Sequence, residues 1–396
     1  MLADVFYPDT IGGAGRVAYH LGLELSKMGH EVHILTRNPE RKYPSHQNIN
    51  PNLHIHRFDT PDKESLTLLY SEIKNSYYLS KQLAYKIKFD IICIHQSMAA
   101  IGPFLSRSFK NIPSVHYFHS PWHEEFLIKK QGYNTKKQKI TVKLIAYLMK
   151  WIEKRVINKS SKVIVLSRYM RNKVRATHNF PQNRIITIHG GVDLDNFKLH
   201  DKNKTILKKN KRLHGHKTIF LTIRNLVPRM GLENLIKAFY QSETLQNKSE
   251  LLIGGRGPLE DHLKDMVEKF NLKNSIHFLG RIPEEDLPKT YQTADFFVLP
   301  TEKLEGFGLV IAESMACGTP VLGTPVGAIP ELLGAFDKRL LFKGSSSEDL
   351  KKLMEEVVNK PEEYSYSRES CRKFAEDNFS WNRVAALFEE AIQNLA

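Results

Sequence analysis

The sequence predicts an α/β protein built on parallel sheets and divided into two domains. Short β-type runs alternate with helix-length amphipathic segments, and the alternation restarts in the second half of the chain. A chain of 396 residues supplies two or three cores at roughly 100–200 residues per domain. In the first half, strands are expected at 3–6, 31–36, 91–94, 114–118, 162–166 and 185–188, with helical periodicity at 17–28, 65–86 and 140–156. The first strand carries a weak signal, because only about five residues precede the turn at Pro8. In the second half, strands are expected at 218–223, 251–253, 276–278, 296–299 and 321–323, each followed by a helix-like segment. The Lys-rich stretch 198–217 has few large apolar residues and reads as the linker. A last helix, 381–395, follows a turn at Phe379-Ser380.

Composition excludes several classes. Hydrophobic residues at 41% and charged residues at 26% are ordinary for a globular protein, which argues against disorder or a fibrous repeat. The most apolar run, 144–152, is short and contains Lys150, so no membrane span is expected. No basic region precedes an apolar one at the amino terminus, and the expected location is the cytoplasm. Cys93, Cys317 and Cys371 are far apart in sequence and form no paired metal or redox pattern; buried thiols are expected.

Net charge is the abnormal quantity, and its position matters more than its size. The formal charge of +15 lies wholly in residues 1–198, which hold 30 Lys and Arg against 15 Asp and Glu. It concentrates in 121–175, where 15 basic residues face only Glu124, Glu125 and Glu153. This imbalance suits an anionic partner such as lipid headgroups or an acidic small molecule, or else a solvated Lys-rich surface. No nucleic-acid module accompanies it, and the charge is not interleaved with a stacking platform.

Two segments carry chemistry. Gly12 and Gly13, with Gly15, lie between a strand and a helix, where bare backbone amides can approach a phosphate. Gly13, Gly15 and Ala18 also fit a dinucleotide fingerprint, so an NAD(P)-dependent oxidoreductase is an alternative. Against it, Tyr7-Pro8-Asp9-Thr10 separates the strand from the glycines, and the second strand ends in Thr36-Arg37 with no acid for a ribose. The richest segment runs from Pro300 to Leu332. Glu305 precedes a predicted helix and Glu313 lies in its second turn, with Gly306, Phe307, Gly308 and Leu309 between them. This is the carboxyl edge of a parallel strand, where open α/β sheets bind ligands. Glu305 can accept from sugar hydroxyls and Glu313 from a ribose diol, while amides at the helix start suit a diphosphate.

The Glu305-to-Glu313 segment resembles the E-x7-E element of retaining glycosyltransferases of the GT-B fold, family four. The resemblance extends over nearly the whole chain through Gly12-Gly13, His119-Ser120-Pro121, His189-Gly190-Gly191-Val192-Asp193, Gly254 to Pro258, Leu279-Gly280-Arg281 and Gly323 to Glu331. It implies two Rossmann-like domains facing a cleft: an acceptor domain at 1–198, a nucleotide-sugar domain at 199–378, and a carboxyl-terminal helix at 379–396 returning to the first domain. It implies that Glu305 contacts donor-sugar hydroxyls, Glu313 the ribose, and Gly12 and Gly13 the diphosphate. His119 is implied beside the donor sugar, and Arg281-Ile282 beside the base.

The family places an Arg and a Lys six apart to stabilise the leaving diphosphate. Arg224 matches the Arg, but Met230 stands at the Lys position, and a thioether cannot take that charge. Either Arg229 supplies the second cation, or Arg224 acts with amides alone, or the donor is bound in a modified way. The implied reaction is retaining, metal-independent transfer from a nucleotide sugar, UDP-sugars favoured, to a hydroxyl acceptor in polysaccharide, glycolipid or other glycoconjugate synthesis. Epimerases and phosphorylases of the same fold are the alternatives. Asp193-Leu194-Asp195 mimics a metal motif and reads as structural. Finally, 138–157 carries apolar residues at helical spacing between Lys139, Lys143, Lys150, Lys154 and Arg155, the pattern of a helix lying on anionic lipid or of a packed helix with a wet Lys face.

Overall fold

The computed structural model describes residues 1–9, 12–61, 66–130, 136–199, 217–393 and 395, and almost all of the expected linker lies outside them. The chain divides into two compact units, one of Met1–Gly191 with Trp381–Ala396 and one of Val192–Ser380. The first crossing comes before the expected 198/199 because the segment after Gly191 packs within the second unit. Val192 N–H donates to Phe379 O (2.7 Å), Phe197 is buried, and the Arg372 guanidinium donates to Phe197 O. Asp193 Oδ1 accepts from the amides of Asp195 and Asn196 (3.1 and 3.2 Å), which makes this segment a turn.

In the first unit, β4 (Ile92–Ile94), β5 (Ser114–Phe118), β6 (Lys162–Val165) and β7 (Ile185–Thr187) form one parallel run. β1 (Val32–Pro39) pairs parallel with β3 (Leu53–Thr60), which pairs antiparallel with β2 (His46–Asn50). Leu2 bridges Leu35 on one side and Ile94 on the other, joining the two runs. The strand expected at 3–6 is therefore corrected: ladder bonds occur at Met1 to Ala3, and by Asp4 the chain has turned to donate its amide to Gln96 Oε1 (2.7 Å). Helix Gly13–Lys27 comes close over this segment, since a Cβ on Gly15 would stand 3.1 Å from Val5 O. On the same helix, Gly22 faces Ile34, Leu53 and Val32. Helix Trp381–Ile392 closes the unit: Trp381 stacks on His20 (5.3 Å) and Lys162 Nζ donates to Ala391 O (2.6 Å).

A buried Glu72 beside a half-buried Asp4 marks this unit. Burial and the neighbouring Asp4 push Glu72 up to about 9, while Asp4 meets Arg37 Nε at 2.5 Å. A carboxyl whose folded pKa is raised contributes stability fully present below about 4.5, and that contribution is lost as pH climbs toward about 9. Glu72→Gln removes this dependence. Its urea midpoint relative to the parent is expected to rise between pH 5 and pH 8, by about 1–3 kcal/mol of stability.

The second unit is a five-stranded parallel sheet in the order β10-β9-β8-β11-β12, with β8 at Thr218–Ile223, β9 at Ser249–Gly254, β10 at Ile276–Gly280, β11 at Phe296–Leu299 and β12 at Val321–Gly323. Apolar strand residues Phe220, Leu251, Ile253 and Val298 pack with Leu235, Phe239, Leu263 and Met354 from the helices. The chain leaves β8 toward β9 on one side and later returns to β11 on the other. The strand order thus reverses between β8 and β11, the switch point at which open sheets leave a crevice beyond the strand ends. All three cysteines are buried free thiols, and burial pushes Cys93 and Cys371 each up to about 12.

Candidate functional site

The loops after β8 and β11 meet at that switch point. Arg224, the first residue beyond β8, is fixed through its backbone, which donates to Gly254 O (3.0 Å). Its guanidinium is buried, and Nη2 donates to Glu305 Oε2 (2.5 Å) and Thr301 Oγ1 (3.3 Å). Thr301 in turn donates to the same carboxylate oxygen (3.1 Å). Met230, at the position six beyond Arg224, turns its sulfur onto the guanidinium at 2.8 Å from Nη2 and 3.2 Å from Nε. The thioether is therefore a weak acceptor that orients Arg224. Arg229 donates from Nη1 to Leu304 O (3.0 Å), and its own carbonyl accepts from the Glu302 amide (2.9 Å), so it braces the Glu305 loop.

That loop is held in an unusual backbone. Leu304 has φ 57°, a conformation costly for a branched side chain, and Gly308 has φ 86°. The Glu305 carbonyl accepts from the Ala328 amide (3.0 Å), and Gly327, at φ 63°, packs so closely that a Cβ would lie 2.2 Å from Glu305 O. Helix Leu309–Ala316 begins directly after Gly308, whose carbonyl accepts from the Ile311 amide (2.8 Å), so the Leu309 and Val310 amides are the ones at the helix start oriented for an anion. Phe307 is buried edge-on against Phe379 (5.6 Å), so its ring belongs to the core. Glu313, buried in the same helix, accepts from Tyr291 Oη (2.8 Å).

Arg281 follows β10 and is exposed, and Ile282 beside it is half-buried against Gly254, where a Cβ would meet Ile282 Cδ1 at 2.5 Å. The second unit thus brings Arg224, Arg229 and Glu305 together. Thr301 and Tyr291, which orient the two glutamates, were missed in sequence; a lone Thr after a strand and a lone Tyr in a helix carry no pattern.

In the first unit, Gly12 caps helix Gly13–Lys27 in extended backbone, and among the described residues beyond its chain neighbours and the helix's own backbone no atom lies within 4 Å of where its Cβ would be. Among the described residues neither conformation nor packing requires glycine there, and its carbonyl accepts from the Arg16 amide (3.1 Å). His119, after β5, stacks on Tyr117 (5.4 Å) and His95 (5.5 Å), and its Nε2 lies 3.3 Å from His95 Nδ1. Burial and the nearby His116 hold His119 well below the ordinary imidazole range, so it is neutral at physiological pH.

Comparison with known proteins is consistent with this geometry. Residues 203–377 match the family model "Glycosyl transferases group 1", and residues 11–196 match "Glycosyltransferase Family 4". The GDP-mannose-dependent alpha-(1-6)-phosphatidylinositol monomannoside mannosyltransferase of Mycolicibacterium smegmatis is 25% identical over 60% of this chain and 64% of its own. Among solved structures, sucrose-phosphate synthase of Thermosynechococcus elongatus superposes with a TM-score of 0.81 at 22% identity, covering 99% of this chain and 96% of that one. HepE of Anabaena, in complex with UDP-glucose, superposes with a TM-score of 0.72 at 16% identity, covering 100% and 98%. With two matching α/β units, a switch-point site and family models over both halves, this chain belongs to the glycosyltransferases of the GT-B fold, with a family 4 domain followed by a group 1 domain.

Proposed function

We propose that the enzyme transfers a sugar from a nucleoside diphosphate sugar to a hydroxyl acceptor with retention of anomeric configuration and without a metal ion in the reaction. The observation that carries this reading is the buried Arg224 guanidinium held by Thr301 and by Glu305, which stands on the loop leading into helix Leu309–Ala316. A cation and oriented amides are what a departing diphosphate needs. In this scheme the bond between the anomeric carbon and the phosphate oxygen breaks while the acceptor oxygen attacks on the same face. The acceptor proton passes to the leaving phosphate oxygen. Glu305 positions donor-sugar hydroxyls and forms no covalent link. Glu313, oriented by Tyr291, takes the ribose diol, and Arg281-Ile282 takes the base. Gly306, Phe307, Gly308 and Leu309 serve through their backbone. By resemblance, Gly12 and Gly13 serve the diphosphate and His119 the donor sugar. Arg229 braces the loop, which leaves Arg224 and amides to carry the charge of the leaving group.

UDP-sugars are the first donors to test, in line with the UDP-glucose complex of HepE, and GDP-mannose is the second, as the mycobacterial relative's name indicates. Incubation with labelled UDP- and GDP-sugars and product analysis decides the class of reaction. A new glycoside of unchanged anomeric configuration supports the reading; free nucleotide with an altered sugar indicates an epimerase, and an inverted product removes the mechanism.

The acceptor side supports a peripheral encounter with anionic lipid. In helix Lys136–Lys159, Ala146, Met149, Glu153 and Val156 face inward, while Ile140, Leu144, Tyr147, Leu148 and Trp151 remain exposed, Leu144 at 64% and Tyr147 at 72%. The three acids of 121–175 are engaged internally: Glu124 with Lys173 (2.7 Å), Glu125 with Ser120 (2.5 Å), and Glu153 with the Trp122 amide (3.1 Å). Basic residues thus flank an exposed apolar stripe, the makings of a membrane-surface helix. Flotation with anionic vesicles is expected at about 0.1 M salt, and is expected to weaken as the screening length falls to about 3 Å at 1 M. Leu144→Asp is expected to abolish it, and equal flotation with neutral vesicles at high salt would remove the electrostatic component.

A further inference from the structure

We infer that the first unit holds one divalent transition-metal ion of the zinc class through Glu31 Oε1, His33 Nε2 and His54 Nε2. His33 and His54 lie in β1 and β3, Glu31 immediately precedes β1, and none of them takes part in the proposed transfer site. Register places them on one face: His33 in β1 stands opposite His54 in β3, and Glu31 is two residues before His33. The other face of the same strands, with Val32, Ile34 and Leu53, packs on Gly22 of helix Gly13–Lys27. His56 and His46 extend the cluster across β3 and β2, where they pair directly.

The donor geometry suits a four-coordinate ion. The three ligand atoms lie within 4.8 Å of one another; His33 Nε2 is 3.0 Å and His54 Nε2 3.8 Å from Glu31 Oε1. Metal–ligand bonds of about 2.0–2.1 Å in a tetrahedron require donor separations of roughly 3.3 Å, which the two Glu31 contacts bracket, and the two imidazole nitrogens, within 4.8 Å of each other, close onto the ion as it binds. Two imidazoles and a carboxylate with no thiolate form the nitrogen and oxygen set favoured by zinc, nickel and cobalt, and a fourth position is left for water.

The surroundings orient both rings. His54 Nδ1–H donates to Asn48 Oδ1 (2.8 Å), leaving the Nε2 lone pair toward Glu31. With the ion present, His33 donates from Nδ1 to His56 Nε2 (2.9 Å), and His56 donates from Nδ1 to His46 Nδ1 (3.3 Å). Without it the same relay runs in reverse and ends on His33 Nε2–H donating to Glu31 (3.0 Å). Such outer partners fix the tautomer of ligating histidines. The ion would tie β1 to β3 near the edge strand β2, so its role is to clamp the sheet.

Zinc titration of the metal-free full-length protein against a chromophoric chelator tests this, with cobalt absorption as a second readout. The expected result is one tightly held equivalent, a raised Tm, and cobalt d–d bands of tetrahedral intensity. Glu31→Gln, at an exposed side chain whose replacement leaves the fold intact, and His54→Ala are each expected to weaken binding by more than about tenfold, and His56→Gln by about tenfold. Absence of a stoichiometric zinc ion, or zinc held equally well by Glu31→Gln and His54→Ala, overturns the assignment.

Discussion

Arg224→Ala is expected to lower kcat by about 10²–10³, a loss of roughly 2.7–4 kcal/mol of transition-state stabilisation, with a smaller change in KM. The expectation rests on geometry. The guanidinium is buried, and one nitrogen is fixed by Glu305, Thr301 and the Met230 sulfur, so its charge is preorganised and needs little reorientation during the reaction. In the proposed mechanism Met230 stands at the position of the second cation implied by the resemblance, which leaves Arg224 a larger share of the leaving group's charge. Arg224→Lys is expected to recover little, since an ammonium cannot reproduce the planar fork that meets these acceptors. Steady-state kinetics with the donor identified by product analysis measures both effects, and unchanged turnover in Arg224→Ala removes the assignment.

Most of the second unit was legible because its strands are short apolar runs bounded by turn residues. The runs 218–223, 296–299 and 321–323 coincide with β8, β11 and β12, since buried parallel strands need no alternation and announce themselves by composition. The first unit was less legible for two physical reasons. The segment 3–6 reads as a strand by composition, yet ladder pairing ends at Ala3, and the next residues lie beneath a helix made close-packing by Gly15. The hairpin β2–β3 was missed because His46–Asn50 is polar and mostly exposed, and the histidines of β3 mask its alternation. At the site, paired acids and glycines at a helix start are sequence signals, so Glu305 and Glu313 could be singled out. The contacts that orient them could not, because the Arg224–Glu305 ion pair joins residues separated by 81 positions, and only the strand order brings their loops together. The amphipathic pattern at 138–157 likewise left two readings open, and only the burial of Met149 and Val156 with the exposure of Leu144 and Tyr147 separates the packed face from the free one.

The partner substitution tests the same pair from the other side. Glu305→Ala leaves a buried guanidinium whose remaining hydrogen-bond partners among the described residues are Thr301 and a thioether, and breaking a buried ion pair in this way costs about 3–5 kcal/mol of stability. Glu305→Gln keeps an acceptor oxygen for Arg224 and is expected to cost less in stability, while activity still falls because the neutral amide holds sugar hydroxyls and the guanidinium more weakly. The Arg224→Ala/Glu305→Ala double variant discriminates coupling from two independent losses. Removing both charges relieves the unpaired one, so its denaturation midpoint is expected to show less destabilisation than the two single variants together, by more than about 0.5 kcal/mol. Simple additivity within that margin means that the two side chains act separately, and the site would then have to be rebuilt on the amides of helix Leu309–Ala316 alone.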